Sequence, residues 1–349
     1  MIEIDIYDSR DLTLAIDKTK AIEPFVLSKL FKSPEMHSSD KIDVEILTGG
    51  ARLAQFVNAE EKAKPTVKLN KNTQTITLPR TFEKKVFTVT DLANYKSVGN
   101  IYTANSNDRV KLANQWVIKE LTDLKNRVKN RREQMACEIL STGQIVVNQD
   151  NIAFSMDFGY TSEQLVTLQN NDLWTADASN PIKNLRAWKM QIGKLAGVNA
   201  DTLILGEEAA DAFLANQKVI KALDTNNYKV GGIDLNSNTT ASGLFIGRIM
   251  GIDIYIYNQQ YTDSDGNSQD MIPSTKAILV ASQAPFRLHS GPIYRIDRDT
   301  GELKAYNVDM FVDIGDGSGK LALEWECEQK SLPVPHDPTA VVSATVVAS

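Results

Sequence analysis

The chain has no apolar run of the roughly 20 residues that a bilayer-spanning helix needs, so no such helix is expected. Its opening, MIEIDIYDSRDL, alternates apolar and acidic residues without a basic or an apolar leader region, and no secretory signal is expected there. Cysteine is nearly missing: Cys137 and Cys327 stand far apart and outside any metal-like spacing, which excludes a disulfide framework and predicts two buried free thiols. Histidine is almost as scarce. His37, His289 and His336 fall in separate segments with no cysteine or carboxylate at ligand spacing, so each is expected to be an ordinary packed or solvated residue, outside any metal or triad constellation. Basic residues are in deficit, and a net charge of -6 argues against a surface built mainly to neutralise phosphates.

Catalytic signatures are absent as well. GDGSGK at 315–320 has three residues between Gly315 and Gly319 where a phosphate loop needs four, and it reads as a hairpin turn. TDSDGNSQD at 262–270 sets Asp263, Asp265 and Asn267 at calcium-loop spacing, but its glycine comes too early and no glutamate closes it. A polar hairpin tip is the better reading. Neither a nucleophile elbow nor a dinucleotide fingerprint occurs, so no enzyme activity and no cofactor is expected. An α+β enzyme using Asp263, Asp265 or Asp316 would lack any base or metal partner.

What is present is a globular sequence of 349 residues, long enough for one substantial core or two sharing a boundary. Residues 1–44 have the character of an arm, with short apolar groups in DLTLAIDKTK and PFVLSKLFKS. Residues 45–88 alternate in TVKLN, TQTITLP and KKVFTV, which predicts an extended hairpin projecting from the body. After a short helix in TDLANYKSVG, a long helix is predicted over 108–141, where Ala113, Val117, Leu121, Leu124, Val128, Met135 and Ile139 form one apolar stripe. At about 1.5 Å per residue such a rod is roughly 50 Å long, and Gly143 is its natural stop. QIVVNQDNIAFSMDFG reads as a hairpin. From 173 to 300 helices and strands alternate: Asn180 and Pro181 cap PIKNLRAWKMQIGKLAG, DTLILG is a buried central strand, and EEAADAFLANQKVIKALDT is a helix pair. AYNVDMFVDIG and KLALEWECEQ make two closing strands, and PVPHDPTAVVSATVVAS returns to loop composition.

The long helix carries Lys125, Arg127, Lys129, Arg131 and Arg132, flanked by Glu120, Asp123 and Glu133. A basic coiled coil gripping nucleic acid is one reading; a solvated face or an ion-pairing seam is the stronger one.

The order of elements resembles the α+β Hong Kong 97-type capsid fold, and within it the lambda-type capsid protein E family of tailed-phage major capsid proteins. The residues that carry the likeness are PFVLSKLFKS with KIDVEI, ILTGGARLAQFVNAEEKAKP, WVIKELTDLKNRVKNRREQMACEILSTGQIVV, and the stretch from EEAADAFLANQKVIKALDT through KAILVAS. The resemblance implies an N-terminal arm (1–44), an extended loop (45–88), a peripheral domain (89–172) with its spine helix, an axial domain (173–300), and return strands with a tail (301–349). It further implies a homo-oligomer of hexamers and pentamers enclosing DNA without reading its sequence, with no membrane partner and with scaffold, portal and decoration proteins as possible partners. Candidate inter-subunit residues are Glu60, Glu61, Lys64 and Lys68 of the loop, Arg127, Lys129, Arg131 and Arg132 of the helix, and Tyr261, Asp263 and Asp265 of the axial hairpin. The basic cluster would meet the acidic pair Glu60 and Glu61 of a neighbour, so charge reversal at Arg131 and Arg132 is expected to impair assembly before folding.

Overall fold

From Val117 to Ile139 the apolar stripe forms as read. In the computed structural model, which describes residues 24–31, 34–47, 71–88, 106–149, 152–224, 231–233, 239–240, 243–263, 266–296, 301–315 and 322–348, a short helix α1 (Phe25–Leu30) precedes the spine helix α2 (Ser106–Thr142). At 37 residues α2 is roughly 55 Å long. It ends at Gly143, whose φ of +74° is open to glycine and whose N–H donates to the Ile139 carbonyl at 2.8 Å. A side chain at 143 would also run into the Tyr160 ring.

Among the described residues, four strands precede α2 in sequence: β1 (Glu35–Met36), β2 (Lys41–Leu47), β3 (Lys71–Thr77) and β4 (Arg80–Thr88). After α2 come β5 (Gln144–Gln149), β6 (Ile152–Asp157) and β7 (Leu165–Thr167). The middle of the chain supplies α3 (Pro181–Ala196), β8 (Thr202–Leu205), α4 (Glu207–Ala215), α5 (Gln217–Asp224), β9 (Gly231–Ile233), β10 (Thr239–Thr240), β11 (Gly243–Ile249) and β12 (Ile252–Ile256). The hairpin β13 (Gln260–Thr262) and β14 (Ser268–Asp270) follows, then β15 (Lys276–Val280) and β16 (Phe286–Ser290). The chain closes with β17 (Ile293–Ile296), β18 (Leu303–Tyr306), β19 (Phe311–Gly315), β20 (Ala322–Pro335) and β21 (Val341–Thr345).

These strands make two sheets and several separate hairpins. The larger sheet runs β10-β11-β12-β8-β15-β21-β7, with β9 also on β11. All four residues of β8 are buried, because helices cover this sheet: Leu185, Trp188 and Ile192 of α3, Phe213 of α4 and Phe25 of α1 join its apolar cluster. Asn180 caps α3 as expected, accepting from the Lys183 N–H, with Pro181 in the first turn. In the smaller sheet β20 is the axis. Its first part pairs with both β4 and β19, and its last five residues pair with β16, which carries β1 in parallel on its other side.

Two expectations are corrected. Residues 80–88, read as part of the projecting hairpin, pair along their whole length with β20; the hairpin proper is β2 with β3, in the register Lys41↔Thr77 to Leu47↔Lys71. The alternation that suggested a hairpin arm suits a strand with one face on α2 equally well. Second, the tail is not a loop: β20 continues to Pro335, and β21 lies between β15 and β7 in the larger sheet. VVSATVV is covered on both faces, so it shows no polar alternation to mark it as a strand. The arm residues 1–23, the stretch TVKLN and the short helix expected in TDLANYKSVG lie outside the described residues.

Helix α1 starts after Pro24, which offers no capping side chain. Glu133 of α2 does that work from a distance: its Oε1 accepts from the Val26 N–H at 2.8 Å and its Oε2 from the Leu27 N–H at 3.0 Å. The Tyr257 hydroxyl, just beyond β12, donates to the same Oε1 at 2.9 Å. Burial pushes the Glu133 carboxyl above the usual range, while these three donors pull it back toward the charged form. Glu133→Ala strands three donors and is expected to cost about 3 kcal/mol or more, read as a lower urea midpoint; Glu133→Gln, which keeps one acceptor, loses less. An unchanged midpoint in the alanine variant would show that the anchor is not needed.

Candidate functional site

Much of the charge on α2 is engaged inside the subunit. Arg127 donates through Nε to Asp123 at 3.1 Å and reaches Glu83 of β4 at 3.9 Å. Lys85 of β4 pairs with Glu120 and lies 3.8 Å from Asp123. Within the subunit, these pairs form an ionic seam between α2 and β4. Arg132 is buried, and its Nη2 donates to both oxygens of Asp309 at 2.9 and 3.0 Å. Its burial pulls the guanidinium pKa down from its ordinary value, and the Asp309 charge and hydrogen bonds oppose that shift. Glu133, which flanks the cluster in sequence, is buried. Lys125 is buried too, while Lys129 and Arg131 are intermediate, the latter within 3.4 Å of Gln134.

On the other face of the smaller sheet, Glu328 is buried between two arginines. Arg80 donates to it from Nε at 2.6 Å and Nη2 at 2.9 Å, and Arg295 Nη2 lies 2.8 Å from its Oε2 and 3.2 Å from Glu326. Arg295 belongs to the β17–β18 hairpin, so this network holds that hairpin against the sheet. Farther along the hairpin Ile296 and Leu303 are directly opposed, and each is 70% exposed.

The hairpin β13–β14 forms in the register Gln260↔Asp270 to Thr262↔Ser268. Tyr261 is half-buried and packs on the main core, while Asp263 accepts from the Asn267 N–H at 2.8 Å and closes the turn. Glu60, Glu61, Lys64, Lys68 and Asp265 lie outside the described residues, as does Asp316.

The histidines overturn their reading as separate residues. His37 Nε2 lies 2.8 Å from His289 Nδ1, and His289 Nε2 lies 2.9 Å from His336 Nε2, so the three rings form one hydrogen-bonded chain. Burial and the neighbouring imidazoles hold His289 neutral, its pKa pulled down to about 4. The register explains the gathering: Glu35 is opposite His289 across β1 and β16, and the chain enters the His336 turn directly from β20. One local signal was readable. Glu35 and His37 are two apart on an extended segment, which sets them on one face.

A family model described as phage major capsid protein E matches residues 8–346. The chain belongs to that family. Among solved structures, this capsid protein is similar to a prophage capsid protein of E. coli CFT073, with 16% identity, 98% of this chain and 99% of that one covered, and a TM-score of 0.71. It is also similar to a phage-related protein of Bordetella bronchiseptica RB50, with 11% identity, 97% of each chain covered and a TM-score of 0.56. No curated protein sequence matches the chain. The capsid protein has the α+β, Hong Kong 97-type fold.

For this capsid protein the expectation about Arg131 and Arg132 divides in two. Arg132→Glu sets two carboxylates together at a buried position and is expected to destabilise the subunit by on the order of 3 kcal/mol, seen as a lower melting temperature or loss of soluble protein. Arg131→Glu is expected to leave the subunit's melting within about 0.5 kcal/mol of the parent. Equal melting of both variants would remove the internal role given to Arg132.

Proposed function

We propose that this chain tiles an icosahedral shell as hexamers and pentamers, enclosing double-stranded phage DNA without reading its sequence and without catalysing a reaction. The family match over residues 8–346 carries this reading. Physical features support it. Ile296 and Leu303 form an exposed apolar pair on a two-stranded hairpin, and such a hairpin is marginal until something leans on it. In a closed shell, repeated heterologous contacts between identical subunits supply that cover. The loop that joins β2 to β3, with Glu60, Glu61, Lys64 and Lys68, extends toward a neighbouring subunit in this reading, and hairpin β13–β14 with Tyr261, Asp263 and Asp265 faces the local symmetry axis. Lys129 and Arg131 remain candidates for contact between subunits. Scaffold, portal and decoration proteins are the further partners of such a shell, the virion is its location, and the host cytoplasm is where it assembles.

The competing reading, a basic helix that binds nucleic acid, is weakened by the internal pairing of Arg127 and Arg132. Among the described residues no helix is long and apolar enough to cross a membrane.

Electron microscopy of the protein expressed alone and with its neighbouring phage genes is expected to reveal rings or closed shells, and only small dimers under every condition would refute the proposal. The boundaries of β2 and β3 set the deletion that tests the loop. Replacing residues 48–70 with a short Gly-Ser linker spares β2, β3 and β4, and is expected to leave a folded subunit that no longer forms stable shells. Normal shells from that variant would refute the bridging role.

A further inference from the structure

We infer that Glu35, His37 and His289 form a binding site for one divalent transition-metal ion of the zinc class, with His336 as the outer partner that orients His289. The inference starts from placement. The nearest ligand atoms of Glu35, His37 and His289 all lie within 4.8 Å of one another. His37 Nε2 and His289 Nδ1 are 2.8 Å apart, and Glu35 Oε2 is 3.8 Å from that same Nδ1. Two nitrogens on one tetrahedral zinc, each at about 2.0–2.1 Å, are separated by about 3.3 Å, so the rings need to part by only about half an ångström. Two imidazoles and a carboxylate suit zinc and its neighbours in the first transition row, whereas calcium and magnesium prefer oxygen ligands throughout.

The surroundings fit ligands as well as hydrogen bonds. Arg287 Nη1 donates to both oxygens of Glu35, at 2.9 and 3.0 Å, and holds its carboxyl below the usual range. A carboxylate has about four acceptor positions, so capacity for a metal remains. With the ion on His289 Nδ1, the proton of that ring sits on Nε2 and donates to His336 Nε2, the 2.9 Å contact already present. A ligand histidine whose other nitrogen is held by a second group is the usual arrangement around bound metals.

The consequence is mechanical. Strand β1 has two residues and joins the smaller sheet through its pairing with β16, helped by the His37 N–H donating to the Ser290 carbonyl at 2.8 Å. A metal bound to Glu35 and His37 on one side and His289 on the other would rivet this short segment, between α1 and β2, to the sheet edge. The site involves none of the residues invoked for shell contacts, so its test stands apart from the assembly experiments.

The test uses the full chain without an affinity tag, stripped by a chelator and titrated with cobalt(II), then with zinc. One cobalt per chain is expected, with visible absorption bands characteristic of nitrogen and oxygen ligation, displaced by zinc, and zinc should raise the melting temperature. His37→Ala and Glu35→Gln are expected to weaken binding at least about tenfold and abolish the zinc-dependent rise in melting, while His336→Gln weakens binding about 10- to 100-fold with the cobalt bands retained. All three variants keep the buried His289 in place. Absence of cobalt and zinc uptake by the parent chain, or equal uptake and equal zinc-dependent melting in the parent and His37→Ala, would overturn the site and leave the histidines as a hydrogen-bonded chain.

Discussion

Everything in this subunit is referred to the position of helix α2. Its side chains enter all three apolar clusters of the described residues: Val117, Leu121, Leu124 and Val128 pack with Phe87 and Trp325 of the smaller sheet, Met135 and Ile139 with the base of the β2–β3 hairpin, and Ala136, Cys137 and Leu140 with the larger sheet. A helix serving three cores must have a fixed rotation about its own axis, and apolar contact alone is a weak way to set it. Glu133 sets it. The carboxylate is satisfied only when α1, α2 and the end of β12 stand in one arrangement, because its three donors come from the first and last of these. Burying that charge without those donors would cost several kcal/mol, which makes alternative rotations unfavourable.

That arrangement also decides which parts of the chain are body and which are projection. Ile42, Val44, Ile46 and Ile76 bury against Met135 and Ile139, so the root of the β2–β3 hairpin is part of the subunit core. The network around Glu328 does the same for the root of β17–β18, leaving the apolar pair Ile296 and Leu303 in solvent at its far end. Both hairpins are thus anchored in the body of the subunit. An anchored root is what allows a neighbouring subunit to be placed at a repeatable angle, which a closed shell of many copies requires.

The sequence was most legible where one physical signal dominated. The stripe on α2, the Asn180–Pro181 start of α3, the Gly143 stop and the buried strand at Thr202–Leu205 were each carried by local periodicity or backbone chemistry. It was least legible where long-range pairing decided the outcome. Nothing local separates Arg132, which is buried on Asp309, from Arg131, which is not, because Asp309 is 177 residues away. The C-terminal Val341–Thr345 strand was hidden for a related reason: a strand covered on both faces loses the alternation by which strands are recognised. The histidines combine both difficulties, since His37 and His289 are 252 residues apart and meet only through the parallel β1–β16 register.

The charge pattern of α2 shows why function can be misjudged from composition. A run of lysine and arginine on a long helix suggests an external partner for phosphate or acid, yet the described structure returns Arg127 to Asp123 and Glu83, and Arg132 to Asp309. The exposed pairs of Arg127 add little stability individually, but a misplaced β4 would leave their charges unmatched, and a displaced Asp309 would strand the buried Arg132 without its partner. The helix charges therefore contribute to specifying one subunit shape. In the proposed shell, a surface offered to neighbours is of a different kind: a directly opposed apolar pair at Ile296 and Leu303, whose burial requires another surface to come close. Single exposed apolar residues are common on soluble proteins, and two facing each other across a hairpin offer a partner more area to bury than one alone. Internal charge fixing the shape, and apolar tips waiting for cover, is a division of labour suited to a subunit that must fold before it assembles.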